Sequence, residues 1–589
     1  MSSAKKITGW FTKNIVKKTI WLILLIITVA IFIHHRFNRP EGVIIWDVKS
    51  YYSYLPATFI YNDLSFDFMK QDSKKFGKWI WPFETIKGKK GIRATMGMSV
   101  LYSPFFFVAH TVALVTDYEA DGYSRPYHFA LNFSAMFYLW FGLIFLAKAL
   151  RRFYNEKVIA FTLFAIVIGT NLFYYTTREA PMSHSYLFSL FALFLLLTIR
   201  FYEKPSLKRI IMAGAVAGFI TLVRPTNIIV LLVFFLWGVS SFSEFKDRIA
   251  YYLKKFHWVV LMATAFVVVW IPQFIYWYHI SGKIFYFTYG EAGGKFFFNN
   301  PQIFNILFSY KKGWLVYTPI MIFALIGIFM LPKKRKGLFL PLLVFKMVNI
   351  YILASWWSWW FGGGFGVRSF VESYAFLSIP LACFVDFGFR QKSLLRFAIP
   401  SALAILIGYN QFQTRQYNNN AIHWWWMNKE AYWETFLKLH PTDRFWLVVT
   451  LPDYDAARQG IYRELKSPQA IELEKNGYVM SFVTWKKPLP EKLVIDRIKL
   501  MILADNNFDT SIASDSIDIY AEERAKHLFN EKGFEYWDKE ISLELIVEET
   551  KRNPRRLKTI EEKASINSIT PDSQLLIDAK WLLAKEKEI

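Results

Sequence analysis

An all-helical polytopic membrane domain, with about 11 transmembrane helices and a smaller soluble domain after it, is the fold class the sequence predicts. Three observations predict it. Of 589 residues, 54% are hydrophobic and 19% aromatic, more than a soluble globular chain carries. Apolar stretches close to the roughly 20 residues that cross a bilayer core recur from Ile15 to Phe412. The Lys and Arg residues behind a formal net charge of +24 cluster in short loops between those stretches, a pattern that encodes orientation rather than nucleic-acid binding.

Taken in order, Lys5, Lys6, Lys13, Lys17 and Lys18 flank the first apolar run and no small-residue cleavage site follows, so residues 1–16 read as a cytoplasmic N-terminus before an uncleaved anchor. Spans are expected near 17–35, 127–147, 158–175, 184–200, 209–223, 225–241, 257–279, 314–331, 338–355, 370–388 and 395–412. The basic loops between them are Lys148–Lys157, Arg200–Arg209, Lys246–Lys255, Lys333–Lys336 and Arg390–Arg396, all assigned to the cytoplasm. Counting the apolar stretch 98–116 as a crossing would put every later basic loop outside, so it reads as a re-entrant or interfacial helix.

The membrane domain is therefore 17–412, with an outer loop at 36–125, and 413–589 is a non-cytoplasmic domain, α+β or mostly helical. Alternation at 445–450 and 478–484 predicts strands, and 541–552 and 572–587 predict helices. The location expected is the plasma (inner) membrane with the C-terminal domain periplasmic. The single Cys383 lies in an apolar run and excludes internal disulfides and cysteine-based zinc or iron-sulfur sites.

Four outer segments carry chemistry-bearing side chains. Trp46-Asp47-Val48-Lys49 sets a carboxylate and an amine among aromatics just past the first span, where partial dehydration suits a base or a cation ligand; the bland alternative is an Asp47–Lys49 surface pair. Arg178, Glu179 and His184 share one short turn, which local pairing explains equally well. Arg224, ahead of Pro225, breaks an apolar hairpin and suits either a bidentate phosphate contact or snorkelling to the interface. Trp356-Trp357-Ser358-Trp359-Trp360-Phe361-Gly362-Gly363-Gly364-Phe365-Gly366-Val367-Arg368 combines an interfacial tryptophan belt with glycines that permit close backbone approach and an arginine for an anion. Arg93, from the first outer loop at 36–125, and Lys311, from a further outer loop at 280–313, complete the candidate binding set. No phosphate-cradling loop, dinucleotide fingerprint, zinc helix or nucleophile elbow is present.

Together these segments resemble the GT-C superfamily of multispanning glycosyltransferases, in the branch of protein mannosyltransferases and lipid A aminoarabinose transferases (glycosyltransferase family 39-like), over roughly residues 15–412. Asp47 stands where that family has its first-loop acid, 98–116 where it has an amphipathic stretch, and Arg178-Glu179 and Gly362–Arg368 where it has later outer motifs. Val48 replaces the second acid some members carry, which weakens the case for a divalent metal; no metal ligand is assigned, no cofactor is certain, and a divalent metal stays possible. The resemblance implies inverting transfer of a sugar from a polyprenyl-phosphate donor to the hydroxyl of a glycan, lipid or protein acceptor. Asp47 is then the general base, Glu179 a second catalytic acid, and Lys49, Arg93, Arg178, His184, Arg224, Lys311 and Arg368 bind substrate. The partners implied are that donor, the acceptor and membrane lipid, with no nucleic acid. A transporter or flippase of lipid-linked intermediates is the rival class, separated by solute flux in proteoliposomes, and a scaffold presenting the tail is a third, separated by truncation after Phe412.

Overall fold

The computed structural model describes residues 14–85, 87–290, 293–392, 394–466 and 554–588, together with 471, 519, 543, 546, 547, 550 and 551. The helices that frame the membrane unit are numbered here in chain order. They are α1 (Ile15–His34), α2 (Asp47–Tyr52), α3 (Gly97–Leu114), α4 (Arg125–Leu150), α5 (Glu156–Ile168), α6 (Ser183–Glu203), α7 (Leu207–Val223), α8 (Val230–Phe235), α9 (Phe242–Lys254), α10 (Phe256–Ser281), α11 (Met321–Lys334), α12 (Lys336–Ala354), α13 (Tyr374–Arg390) and α14 (Leu395–Asn418). Among the described residues, seven helical segments are long and apolar enough to cross a membrane: α1, α3, α4, α6, α10, α12 and Arg368–Arg390.

Local chemistry sets the ends of these helices. Asn155 accepts hydrogen bonds from the amides of Lys157 and Val158 to start α5, Ser206 accepts from Arg209 to start α7, and Ser241 accepts from Glu244 to start α9. The end of α7 is written in Arg224-Pro225, since a residue before proline is pushed to extended backbone and Arg224 sits at φ −148°, ψ 106°. Two glycines one turn apart let α7 meet α10 backbone to backbone. A β-carbon at Gly214 would lie 2.3 Å from the Met262 carbonyl oxygen, and one at Gly218 would lie 2.7 Å from that of Phe266.

The basic loops converge on one end of the bundle. Arg152 pairs with Glu203 at 3.2 Å, Arg209 donates to the Arg200 carbonyl at 2.7 Å, Arg335 donates to the Phe153 carbonyl, and the Arg248 guanidinium lies 4.3 Å from the Tyr202 ring. Helix α3 packs along α4 from near its start to its middle. His110 bonds the Tyr127 hydroxyl, Phe105 packs on Phe133 and Phe137, and the Tyr138 hydroxyl donates to the Leu101 carbonyl. These α4 residues run from Tyr127 to Tyr138 of a helix that spans Arg125–Leu150.

Several expected elements change in detail. The 158–175 span is interrupted: α5 stops at Ile168, capped by Gly169, and a separate turn covers Tyr174–Thr177. The 314–331 span is split at Thr318-Pro319 into Trp314–Tyr317 and α11, and the 225–241 span is a 3₁₀ turn, Pro225–Ile229, followed by the short α8. Residue 413 falls inside α14, which runs on to Asn418. The stretch 242–254, expected as a loop, is helix α9.

The chain divides into two compact units, Met1–Lys429 with Pro452–Arg463, and Glu430–Leu451 with Glu464–Ile589. Most of the strand expected at 445–450 is instead the helix Asp443–Val448, whose start Thr442 caps by accepting from the Phe445 amide; a short strand, Thr450–Pro452, begins only at its last residue. The helix expected at 572–587 is Pro571–Glu588, which pairs with Pro554–Ile566 through Lys563 and Asp578 at 2.6 Å. Positions 543, 546, 547, 550 and 551 of the expected 541–552 helix are helical; the strand expected at 478–484 lies outside the described residues.

Candidate functional site

At the end of the bundle away from the basic loops, the first outer segment and the glycine-rich segment meet. Asp47 is the first residue of α2, and Trp46 before it adopts φ 50°, ψ −131°, a conformation L-residues rarely take. That turn brings the Asp47 carboxylate to Arg368, with Oδ2 to Nη2 at 2.8 Å. The Asp47 side chain is 41% exposed and that of Arg368 is 16%, so an open carboxylate sits on a largely covered guanidinium.

Beside this pair lies a second set of charges, enclosed except for Arg224, whose side chain is 19% exposed. Glu372 sits in the 3₁₀ turn Arg368–Ser373, one helical repeat after Arg368. It accepts from Arg224 at 2.6 Å and from Asn227 at 3.4 Å, with His184 Nδ1 at 3.5 Å. The other arm of Arg224 reaches the Ser183 hydroxyl at 3.3 Å. Lys346, buried on α12, lies 3.8 Å from the Trp314 ring and 3.7 Å from the Phe370 ring, with Asn349 Oδ1 at 3.2 Å. Charges buried within a membrane domain are costly unless paired, and here each acid has a cation and each cation has an acid, an amide or a ring.

Two tyrosine hydroxyls lie close to both sets of charges. Burial, then the Asp47 charge, raises the Tyr51 hydroxyl above its usual range, while Arg224, Arg368 and a hydrogen bond to Ser183 oppose the shift. The Tyr289 hydroxyl is raised in the same direction by its covered position and by the Tyr51 and Asp47 charges, with Arg224 and Arg368 opposing, while the residue as a whole is 44% exposed. Both hydroxyls thus stand within the field of the same three charged groups.

The glycine-rich loop is bolted to the bundle rather than open to a ligand along its length. A β-carbon at Gly363 would meet Trp424, one at Gly364 the Tyr175 hydroxyl, and one at Gly366 Tyr317; only Gly362 faces open space among the glycines of this loop. The Phe365 amide donates to the Tyr175 hydroxyl at 2.9 Å, and Asn171 donates to the Phe365 carbonyl at 3.0 Å. Lys312, buried, donates to the Gly364 carbonyl and, at 2.7 Å, to that of Trp424. Burial pushes its amine down to about 7, with Arg368 and Lys311 adding and Glu179 opposing.

The remaining candidates divide. Glu179 lies within electrostatic reach of Tyr175, Lys312 and Arg368, and with Arg178 and Arg36 it lines a cleft walled by Ile45, Trp46, Val48 and Met182. Lys311 is buried beside Lys312. His184 lies wholly buried in the second set, and no partner is seen for its Nε2 among the described residues. Lys49 extends over the Trp81 ring at 4.6 Å, its amine lowered by burial and by Lys78. Arg93 is not brought to this group by any described contact: its guanidinium lies over Phe83 at 5.7 Å, and its carbonyl accepts from Thr288. Its placement follows the hairpin Phe83–Glu84 and Lys90–Gly91, which turns this stretch toward the 279–288 region.

Glu372, Lys346, Lys312, Tyr51 and Tyr289 were not in the candidate set. The signal for the first two is present in the sequence, since Glu372 near the start of 370–388 and the lone lysine in 338–355 are charges inside apolar runs. Among the described residues no three of His, Cys, Asp and Glu gather as metal ligands. The nearest charge to Asp47 is a guanidinium, and the surrounding excess of Arg and Lys suits an anion better than a divalent cation.

No protein-family model matches the chain, and no curated protein matches it. Among solved structures it is similar to the archaeal oligosaccharyltransferase AglB from Archaeoglobus fulgidus in complex with an inhibitory peptide and a dolichol-phosphate, with a TM-score of 0.42, 12% identity, and 81% of this chain and 62% of that chain covered. It is also similar to the apo form of the Archaeoglobus fulgidus oligosaccharyltransferase, with a TM-score of 0.39, 12% identity, and 82% and 63% covered. The chain thus spans less than two thirds of the length of either.

Proposed function

We propose that the chain is a membrane glycosyltransferase that moves a sugar from a polyprenyl-phosphate carrier to an acceptor hydroxyl at the extracytoplasmic face, with inversion. The observation that carries this reading is the graded site: a half-exposed carboxylate, Asp47, fixed at 2.8 Å on Arg368, beside cations that are largely covered. A base must be open to its substrate, whereas the groups that receive a departing phosphate work best where water is excluded.

In the proposed step the acceptor hydroxyl gives its proton to Asp47 as its oxygen forms a bond to the anomeric carbon. The bond from that carbon to the carrier phosphate breaks, and its electron pair leaves on the phosphate oxygen. Arg368 and Arg224 meet the developing charge, with Lys312 contributing in its protonated form. Glu372 takes no proton in this scheme; it holds Arg224 by the 2.6 Å ion pair. Attack opposite the leaving group yields inversion. Because the charged neighbours suit an anion, the reaction as proposed runs on side chains without a metal.

The topology proposed with it keeps the N-terminus and the basic loops cytoplasmic and treats α3 as re-entrant, for a total of eleven crossings. The deciding experiment uses full-length protein in proteoliposomes with a polyprenyl-phosphate-linked sugar. Asp47→Asn should insert normally and lose release of polyprenyl phosphate by about 10²- to 10⁴-fold. Transfer at the wild-type rate by that variant, or a product that retains the donor's anomeric configuration, would refute the scheme.

A further inference from the structure

Helix α9 stands apart from the bundle it belongs to. None of its residues is buried, yet Phe242, Phe245, Ile249 and Leu253 recur at spacings of three and four, and Phe256 continues the series into α10. On a helix those positions form one stripe, and all five side chains are between 36% and 71% exposed. A stripe of this size open to water is costly.

The flanks of the stripe are basic. Lys246 lays its amine 4.8 Å from the Phe242 ring, its stem running beside the apolar face, and Lys254 and Lys255 close the C-terminal end. The acids are turned elsewhere. Glu244 is used at the helix start, accepting from the Ser240 amide at 2.6 Å and hydroxyl at 2.8 Å, and Asp247 falls on the face opposite the stripe. Arg248 fixes the helix along another edge through the Tyr202 ring. One residue after α9 the chain enters α10, a helix long and apolar enough to cross a membrane, so the stripe starts at the level where that crossing begins.

The geometry points to α9 as an interfacial helix that lies in the plane of the leaflet at the basic end of the bundle, its aromatic and aliphatic stripe sunk among acyl chains and its lysines on anionic lipid phosphates. Continuity with α10 supplies the location, and the charge of the flanks selects an anionic lipid surface over a neutral one. The assignment is independent of the glycosyltransferase reading, because it concerns the end of the bundle remote from Asp47.

The test is a nitroxide scan of the full-length chain, with Cys383 replaced by serine, in nanodiscs containing phosphatidylcholine and phosphatidylglycerol. Labels at 242, 245, 249 and 253 should be accessible to oxygen and shielded from a water-soluble nickel chelate, and labels at 243, 247, 250 and 254 should show the reverse. Phosphatidylglycerol retained by the protein on release from the discs should fall roughly fivefold for each lysine removed in Lys246→Gln, Lys254→Gln and Lys255→Gln. Nickel access at the stripe, or shielding from both reagents as when another protein or a second copy covers it, overturns the proposal. So does phosphatidylglycerol retention unchanged by the triple substitution.

Discussion

The two ends of the membrane unit spend their charges differently. At the basic end two ion pairs are exposed, Arg151 with Glu156 and Arg152 with Glu203, each leaving more than 40% of both side chains open, and a third joins an exposed Arg390 to a covered Asp386 only four residues before it. At the other end the Arg224–Glu372 pair joins residues 148 apart in sequence, and Glu372 is 1% exposed. Exposed pairs contribute little to stability, and their usefulness is in setting which side of a bilayer they occupy. Buried pairs are retained against a desolvation cost, and that cost is what makes them informative about chemistry.

Substitutions at the two ends should separate these roles. The largest effect belongs to Asp47→Asn, with transfer reduced by about 10²- to 10⁴-fold while thermal stability in detergent stays near wild type. Glu372→Ala comes next: stranding Arg224 without its partner should lower stability by about 3–5 kcal/mol, read as a fall in the unfolding midpoint, and Glu372→Gln should recover part of it. A Glu372→Ala protein as stable as wild type would break the contrast between the ends.

The Lys312 prediction depends on pH and its sign follows from burial. The amine titrates near 7 in the folded chain and near its usual 10.5 when unfolded, so between those values the unfolded chain binds more protons. Stability should therefore rise with pH from about 7 to 10.5, and the cost of burying the ammonium is fully present below 7. In Lys312→Met that rise should flatten, as measured by unfolding midpoints across the pH series. Affinity of the wild type for polyprenyl phosphate should strengthen as pH falls through 7, as Lys312 gains its charge. The smallest effect is expected at the basic end, where Arg152→Gln should change stability by no more than about 0.5 kcal/mol and leave transfer untouched.

The division into two ends was legible in the sequence because loop charge and apolar length carry it directly. Asp47, Arg224 and Arg368 were legible for a related reason: each stands where an apolar run breaks at Trp46, Pro225 or the glycines. Glu372 and Lys346 were hidden by the same rule that exposed the others, since hydropathy averages a single charge into the run around it. Arg93 stands in the same outer loop as Asp47, but the sequence carries no sign of the short hairpin that turns it toward Thr288. The glycines of 362–366 were read as room for a ligand, whereas three of them make room for Trp424, Tyr175 and Tyr317, a long-range fact of packing. Helix α9 was missed for want of a buried face, although its period of three and four was written plainly.

The span of 148 residues between Arg224 and Glu372 also has a meaning in time. A ribosome adding about 5–20 residues per second needs roughly 7–30 s to make that stretch, so the arginine reaches the membrane well before its counter-ion exists. During that interval α6 and α7 can form their hairpin, with Arg224 held at the water boundary by Ser183 and its own position at a helix end. Completion of the second set of charges is then a late event of biogenesis, and a chain halted before residue 372 carries an arginine whose charge has nowhere to go but back toward water.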